Sequence, residues 1–148
     1  MIKQAMATAF LCLCAFGAHA EVVNVDNAEL ARLAASGAAV IDIRTAPEWK
    51  ETGVLSGSKL LTFFDDRGRV DAPAWLEHVK SITKPGQAVV LICRSGNRSR
   101  TAAQYLSQQP GFKTVYNVTG GINSWSKEGR TVVPSNSPLA MCAAGAVC

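Results

Sequence analysis

The chain has 148 residues, of which 48% are hydrophobic and 18% are charged, and its formal net charge is +4. This length and composition are typical of one globular domain with its own hydrophobic core. The basic residues are scattered and form no basic face interleaved with aromatics, so the composition argues against nucleic-acid binding.

The first twenty residues have the features of a secretory signal peptide. Lys3 gives a positive start, an apolar run covers 5–16, and a small-x-small cleavage signature, Ala18-His19-Ala20, precedes Glu21. The apolar run is shorter than the roughly 20 residues that a membrane span needs. We therefore predict that residues 1–20 are cleaved and that the mature protein is periplasmic or secreted, with no membrane span.

Short apolar segments alternate with amphipathic segments along the rest of the chain. The apolar segments predict strands at 22–25, 38–43, 59–62, 88–92 and 114–118. The segments between and after them predict helices at 27–33, 46–51, 73–82, 100–108 and 122–127. Because the strands are apolar throughout rather than at alternate positions, the pattern predicts an α/β fold with a mainly parallel sheet and helices on both faces.

Cys93 ends the most apolar of these strands and opens a short loop that leads into a helix. Residues 93–99 read Cys-Arg-Ser-Gly-Asn-Arg-Ser. Backbone N–H groups of such a loop, together with the N-terminus of the next helix, form a cradle for an anion. The same donors stabilise a thiolate, which is the reactive form of cysteine. Ligands of parallel sheets bind beyond the C-terminal ends of the strands, which is where Cys93 lies.

Three motifs in order resemble the rhodanese (sulfurtransferase) family. Residues 39–44 read Ala-Val-Ile-Asp-Ile-Arg and are followed by Pro47-Glu48-Trp49; the loop at 93–99 is Cys-Arg-x-Gly-x-Arg-Ser; residues 118–125 read Val-Thr-Gly-Gly-Ile-x-x-Trp. Where the family commonly has Gly-His-Ile-Pro-Gly-Ala, residues 53–58 read Gly-Val-Leu-Ser-Gly-Ser, without histidine or proline. The resemblance covers the mature chain to about Val133, so we predict a domain at 21–133 and a cysteine-containing tail at 134–148.

This resemblance implies a single-domain, exported rhodanese with a five-stranded parallel sheet. The sequence indicates no metal or organic cofactor. The implied reaction moves sulfane sulfur from an anionic donor such as thiosulfate to a Cys93 persulfide, and then to cyanide or a thiol. Arg94 and Arg98 would bind the anionic end of the donor, Gly96 would allow the tight turn, and Ser99 would cap the following helix and reach the site. The predicted substrate-binding set is Arg94, Ser95, Gly96, Asn97, Arg98 and Ser99.

Three alternatives to this enzyme stay open. A cysteine phosphatase has a Cys-x5-Arg loop, whereas the arginine here comes one residue earlier, at Arg98. A non-catalytic persulfide carrier would load sulfur on Cys93 and deliver it to a protein partner. A thiol–disulfide exchange protein would use Cys93 with Cys142 or Cys148.

The remaining polar candidates have structural interpretations. Cys142 and Cys148 lie in the tail, where we predict a disulfide between them; the alternative is that one of them resolves Cys93. Asp42 and Arg44 are two residues apart at the end of a predicted strand. This arrangement favours an ion pair between them over a catalytic role. The charged segment 65–71 is predicted to be a solvated loop, with the rim of the active-site mouth as the alternative.

Overall fold

The computed structural model describes residues 20–137, in which strands and helices alternate along the chain. The strands are β1 (Glu21–Val25), β2 (Ala39–Asp42), β3 (Lys59–Leu60), β4 (Val89–Ile92) and β5 (Thr114–Val118). The helices are α1 (Asn27–Ala35), α2 (Ala46–Thr52), α3 (Ala72–Ile82), α4 (Asn97–Ser107) and α5 (Gly121–Lys127).

The five strands form one parallel sheet in the order β1-β5-β4-β2-β3. Strands β2 and β4 are buried at every position, and both lie inside the sheet. Burial on both faces is the physical reason that their sequences are apolar, apart from Asp42 at the end of β2, which is buried in an ion pair with Arg44. The predicted α/β fold with a five-stranded parallel sheet is confirmed.

Side chains of β4 alternate between two hydrophobic clusters, one on each face of the sheet. Val89 and Leu91 pack in the cluster formed with α3 and α4, and Cys93 continues this alternation on the same face. Val90 and Ile92 pack in the other cluster, which includes residues of α1 and α5. The sheet is therefore covered by helices on both faces, and the side chain of Cys93 is directed to the α3–α4 face.

Local capping explains where the helices begin. Asp26 caps α1 by accepting a 2.8 Å hydrogen bond from the N–H of Glu29, and Asp71 caps α3 in the same way from Ala74 at 3.1 Å. Helix α2 begins with a capping box between Thr45 and Glu48. The sequence pattern thus predicted the first residue of each helix to within a few positions.

The predicted strand 59–62 is shorter in the structure, where β3 has only two residues. After Leu60 the chain leaves regular pairing with β2, and its N–H groups bond individually: Leu61 to Asp42 and Phe63 to Ile43, at 3.0 and 3.1 Å. Because β3 is an edge strand, this irregular continuation satisfies the backbone without extending the sheet.

The predicted signal peptide, apart from Ala20, and both tail cysteines lie outside the described residues, so these assignments stay predictions. In the part of the chain that the structure describes, no helix is both long enough and apolar enough to cross a membrane.

Candidate active site

Cys93 lies immediately beyond the C-terminal end of β4. Its side chain is completely buried and its thiol is free. The carbonyl of the preceding residue, Ile92, accepts a 3.0 Å hydrogen bond from Ile43, which continues the pairing with β2 up to the cysteine. The central, most buried part of the sheet therefore fixes the position of the thiol.

Three hydrogen-bond donors point at the sulfur of Cys93. The N–H groups of Gly96 and Ser99 lie 3.1 and 3.4 Å from Sγ, and the hydroxyl of Ser99 lies 3.2 Å from it. These are the inward-facing groups that the loop pattern predicted. All three are uncharged donors fixed in place, so they stabilise negative charge on the sulfur without having to reorganise.

Gly96 turns the chain from the loop into α4. Its φ is +91°, and a side-chain Cβ there would lie 2.9 Å from the carbonyl oxygen of Val118. Gly96 is also the N-cap residue of α4. The prediction that Ser99 caps this helix is therefore wrong: the helix begins two residues before Ser99, and the hydroxyl of Ser99 donates to Cys93 instead.

Helix α5 holds the other side of the loop. The N–H groups of Ile122 and Asn123 donate to the carbonyls of Cys93 and Arg94, at 2.9 and 3.1 Å. A Cβ on Gly121 would lie 2.3 Å from the carbonyl oxygen of Cys93. Because these carbonyls are held toward α5, the contact helps to keep the peptide groups of the loop in the orientation that the cradle needs. The Gly-Gly motif at 120–121 did not by itself predict this contact.

The arginines of the loop differ in their surroundings. Arg94 and Arg100 are exposed, as are Ser95 and Asn97, so these side chains lie on the outer surface of the loop. Arg98 instead forms a two-pronged ion pair with Glu48 of α2, with N···O distances of 2.8 and 2.6 Å. The structure thus brings the backbone of the predicted set together around Cys93 but places Arg94 and Arg98 in different environments.

The Glu48–Arg98 pair shifts both groups toward their charged forms. The hydrogen bond from Arg98, with help from the N–H of Thr45, lowers the pKa of Glu48 to about 2. The pKa of Arg98 is raised, first by Glu48 and to a smaller extent by the nearby Cys93 and Asp42. The sequence motif that contains Glu48 gave no sign of this contact, since its partner is fifty residues away.

Asp42 and Arg44 form the expected ion pair, which is completely buried with an N···O distance of 2.6 Å. Arg44 also donates to the hydroxyl of Thr52 at 2.5 Å and to the carbonyl of Gly53 at 2.8 Å. These contacts join the Asp42–Arg44 pair to the C-terminal end of α2. The pair therefore positions the helix that carries Glu48.

The charged loop 65–71 lines a separate cavity of about 500 Å³ together with residues of α3. Asp65 accepts hydrogen bonds from the N–H groups of Arg67 and Arg69, which closes the loop on itself. Of the described residues that line this cavity, none belongs to the 93–99 loop, so the cavity is distinct from the cradle. Residues 20–137 contain no cluster of three or more His, Cys, Asp or Glu side chains that could hold a metal ion.

Comparisons with known proteins agree with this arrangement. Thiosulfate sulfurtransferase 18 of Arabidopsis thaliana is 34% identical over 109 residues, which cover 71% of this chain and 79% of that protein. Rhodanese-like domain-containing protein 17 of the same organism is 32% identical over 108 residues, covering 71% and 69%.

Solved structures share the fold. A rhodanese-related protein from Thermoplasma volcanium superposes with a TM-score of 0.58 at 29% identity, over 75% of this chain and 97% of that one. The polysulfide-sulfur transferase homodimer from Wolinella succinogenes has a TM-score of 0.59 at 24% identity, over 76% and 78%. At that identity the second likeness concerns the fold alone.

The family model of the rhodanese-like domain matches residues 26–128, from the N-cap of α1 to the end of α5. The match includes the cradle, the ion pairs of α2 and the contact of α5 with the loop. With a sulfurtransferase among the relatives, sulfur transfer is the general activity that the match supports. The chain belongs to the rhodanese-like domain family.

Proposed function

We propose that this protein is a sulfurtransferase that carries sulfane sulfur on Cys93. The observation that supports this most directly is the set of three neutral donors aimed at Sγ of a free cysteine. A persulfide anion on Cys93 needs such donors, because its negative charge would otherwise be buried without partners. The relative named as a thiosulfate sulfurtransferase supports the same activity.

The proposed reaction consists of two displacements at sulfur. The thiolate of Cys93 attacks the outer sulfur of thiosulfate; the S–S bond of thiosulfate breaks and its electron pair leaves with sulfite. Cyanide or a thiolate then attacks the outer sulfur of the persulfide, and the electron pair of that S–S bond returns to Cys93. Each step is a substitution that splits one difficult transfer into two easier ones.

Within this reaction the loop residues divide into two groups. The N–H groups of Gly96 and Ser99 and the hydroxyl of Ser99 bind the reacting sulfur. Arg94 is exposed at the outer side of the loop, where its guanidinium binds the sulfonate end of the donor. Arg98 is engaged with Glu48, so we assign it a structural part in the cradle rather than the donor-binding role that its position in sequence predicts.

The test is the intact mass of the mature protein after incubation with thiosulfate and then with cyanide, compared with Cys93→Ala. We expect the gain of one sulfur atom, its removal by cyanide, and no gain in the variant. Absence of a sulfur adduct with thiosulfate and with a polysulfide would contradict the proposal.

Multiple-turnover kinetics distinguish the enzyme from a persulfide carrier. Sustained production of thiocyanate from thiosulfate and cyanide is expected of the enzyme, whereas a carrier loads once and releases sulfur only to a protein acceptor. A peptide that joins Cys93 to Cys142 or Cys148 in a non-reducing digest would instead support thiol–disulfide exchange.

We further propose that the protein is exported to the periplasm or secreted after removal of residues 1–20. The support is the charged start, the apolar run and the cleavage signature of the sequence. N-terminal sequencing of the protein after expression with its full leader should give Glu21 as the first residue. An intact N-terminus in the cytoplasmic fraction would contradict export.

A further inference from the structure

The guanidinium of Arg98 is already paired with an anionic group of the protein itself, the carboxylate of Glu48. Both terminal nitrogens of Arg98 donate to the two carboxylate oxygens of Glu48, at 2.8 and 2.6 Å. The side chains are 31% and 18% exposed, so the pair is partly shielded from water. A carboxylate that faces a guanidinium in this way occupies the same two donors that a sulfate or phosphate group would use.

Glu48 is held in this position from two other directions. Its Oε2 accepts a 3.0 Å hydrogen bond from the N–H of Thr45, in the capping box of α2. The C-terminal end of α2 is anchored through Thr52 and Gly53 to the buried side chain of Arg44. The carboxylate is therefore fixed before any ligand arrives, and a competing anion has to displace it rather than bind an empty donor pair.

The fold places Arg98 next to a residue that binds the reacting sulfur. Arg98 lies in the first turn of α4, directly before Ser99, whose N–H and hydroxyl donate to Sγ of Cys93. An oxyanion bound by Arg98 would thus lie at the loop that surrounds the thiol. In this protein the carboxylate of Glu48 occupies that arginine instead.

We propose that Glu48 is a specificity-determining residue that excludes tetrahedral oxyanions from Arg98. The site then accepts donors whose reacting sulfur enters the cradle while their anionic group stays outside, at Arg94. Sulfate, phosphate and phosphate esters would therefore not compete strongly for Arg98. This inference rests on the proposed function only for the identity of the donor.

The test compares the binding of inorganic sulfate and inorganic phosphate by titration calorimetry at low ionic strength. The variant is Glu48→Gln, which removes the charge but keeps an amide oxygen for the N–H of Thr45. The matched control is Glu51→Gln, which removes an exposed charge from the same helix. We expect Glu48→Gln to bind both anions at least about tenfold more tightly than the wild type, the effect of one charge-assisted pair, and Glu51→Gln to resemble the wild type.

The double variant Glu48→Gln/Arg98→Ala shows where a gained anion binds. Loss of the gain in the double variant is expected, because the anion should occupy Arg98. Equal binding by the wild type and Glu48→Gln would overturn the proposal, and so would a gain that persists without Arg98. Thermal unfolding of each variant establishes that it is folded, and Glu48→Ala serves as a second variant if Glu48→Gln is not.

The same samples are tested for sulfur loading of Cys93 by mass. If Cys93 takes no sulfur while Glu48→Gln gains oxyanion affinity through Arg98, the proposed function fails and the inference about Glu48 stands. If Cys93 is loaded normally and Glu48→Gln binds the anions no more tightly than the wild type, the proposed function stands and the inference about Glu48 fails.

Discussion

At the scale of single residues, Ser99 contributes more to the cradle than its place in the helix suggests. Its N–H and its hydroxyl both donate to Sγ of Cys93, so one residue supplies two of the three donors. A serine in the first turn of a helix more often interacts with the helix backbone. Its geometry here supports a role in stabilising the sulfur.

We expect Ser99→Ala to lower kcat for sulfur transfer by about tenfold or more, since removal of one fixed donor removes stabilisation of developing charge. Steady-state kinetics with thiosulfate and cyanide measure the effect. Thr101→Ala, at an exposed position of the same helix, is the control and should keep the wild-type rate. An unchanged kcat in Ser99→Ala would exclude the hydroxyl from the chemistry.

Arg94 should act mainly on capture of the donor. We expect Arg94→Ala to raise KM for thiosulfate by about tenfold while kcat changes much less, because in the proposed reaction the guanidinium binds the part of the donor that does not react. Arg100→Ala removes the same charge from another exposed position and should have a small effect. Similar increases in KM for both variants would indicate a general electrostatic effect rather than a contact.

At the scale of elements, the backbones of α5 and of the 93–99 loop approach each other closely at Gly121. The glycine has a φ of +56°, and a Cβ there would lie 2.3 Å from the carbonyl oxygen of Cys93 and 2.6 Å from the carbonyl carbon of Arg94. No side chain fits between these two backbones, which explains why a glycine is needed at the start of this helix.

Gly121→Ala should lower the free energy of unfolding by about 2–4 kcal/mol, because it adds a steric clash to the cost of a positive φ. Gly129→Ala is the matched control, since Gly129 has a φ of +69° and a Cβ there would meet no atom within 4 Å. It should cost about 1 kcal/mol, the backbone term alone. Urea denaturation of both variants measures the difference, and equal costs would mean that the loop yields to the added methyl group.

The elements themselves were largely predictable, whereas their contacts were not. β5 has the predicted bounds because Pro110-Gly111 and Gly120-Gly121 interrupt the chain on either side of its apolar residues. The start of α4 was predicted too late, since a glycine in the left-handed conformation begins the helix and sequence pattern gives little sign of this. The Glu48–Arg98 pair joins two helices that are distant in sequence, and only the order of the strands brings them together.

At the scale of the whole molecule, the sheet order places the C-terminal ends of β2, β4 and β5 side by side. The residues that follow these strands lie at this edge: Arg44 after β2, Cys93 after β4 and Gly121 after β5. The cradle is thus assembled from segments spread over most of the domain. Its geometry therefore depends on the whole fold. The Glu48–Arg98 pair, which joins α2 to α4, contributes in turn to the stability of that fold.

The contribution of Glu48 to stability should depend on pH. Its pKa is about 2 in the folded protein and roughly 4.3 in an unfolded chain, so the folded state binds the proton less readily. The stabilisation is present above about pH 5 and is lost as the pH falls toward 2. In urea unfolding at pH 7, 4 and 3, the difference between the wild type and Glu48→Gln should shrink as the pH falls. A constant difference would contradict this linkage, and Glu51→Gln controls for loss of a carboxylate.

The donors around the sulfur of Cys93 carry no net charge, and the arginine beside them is neutralised by a carboxylate. Dissolved ions screen interactions between exposed charges but have little effect on fixed dipoles inside a protein. Ionic strength should therefore affect binding of the donor and transfer of the sulfur to different extents. Raising the salt concentration would weaken capture of the donor at exposed Arg94, while the sulfur, once it is in the cradle, would be transferred at nearly the same rate.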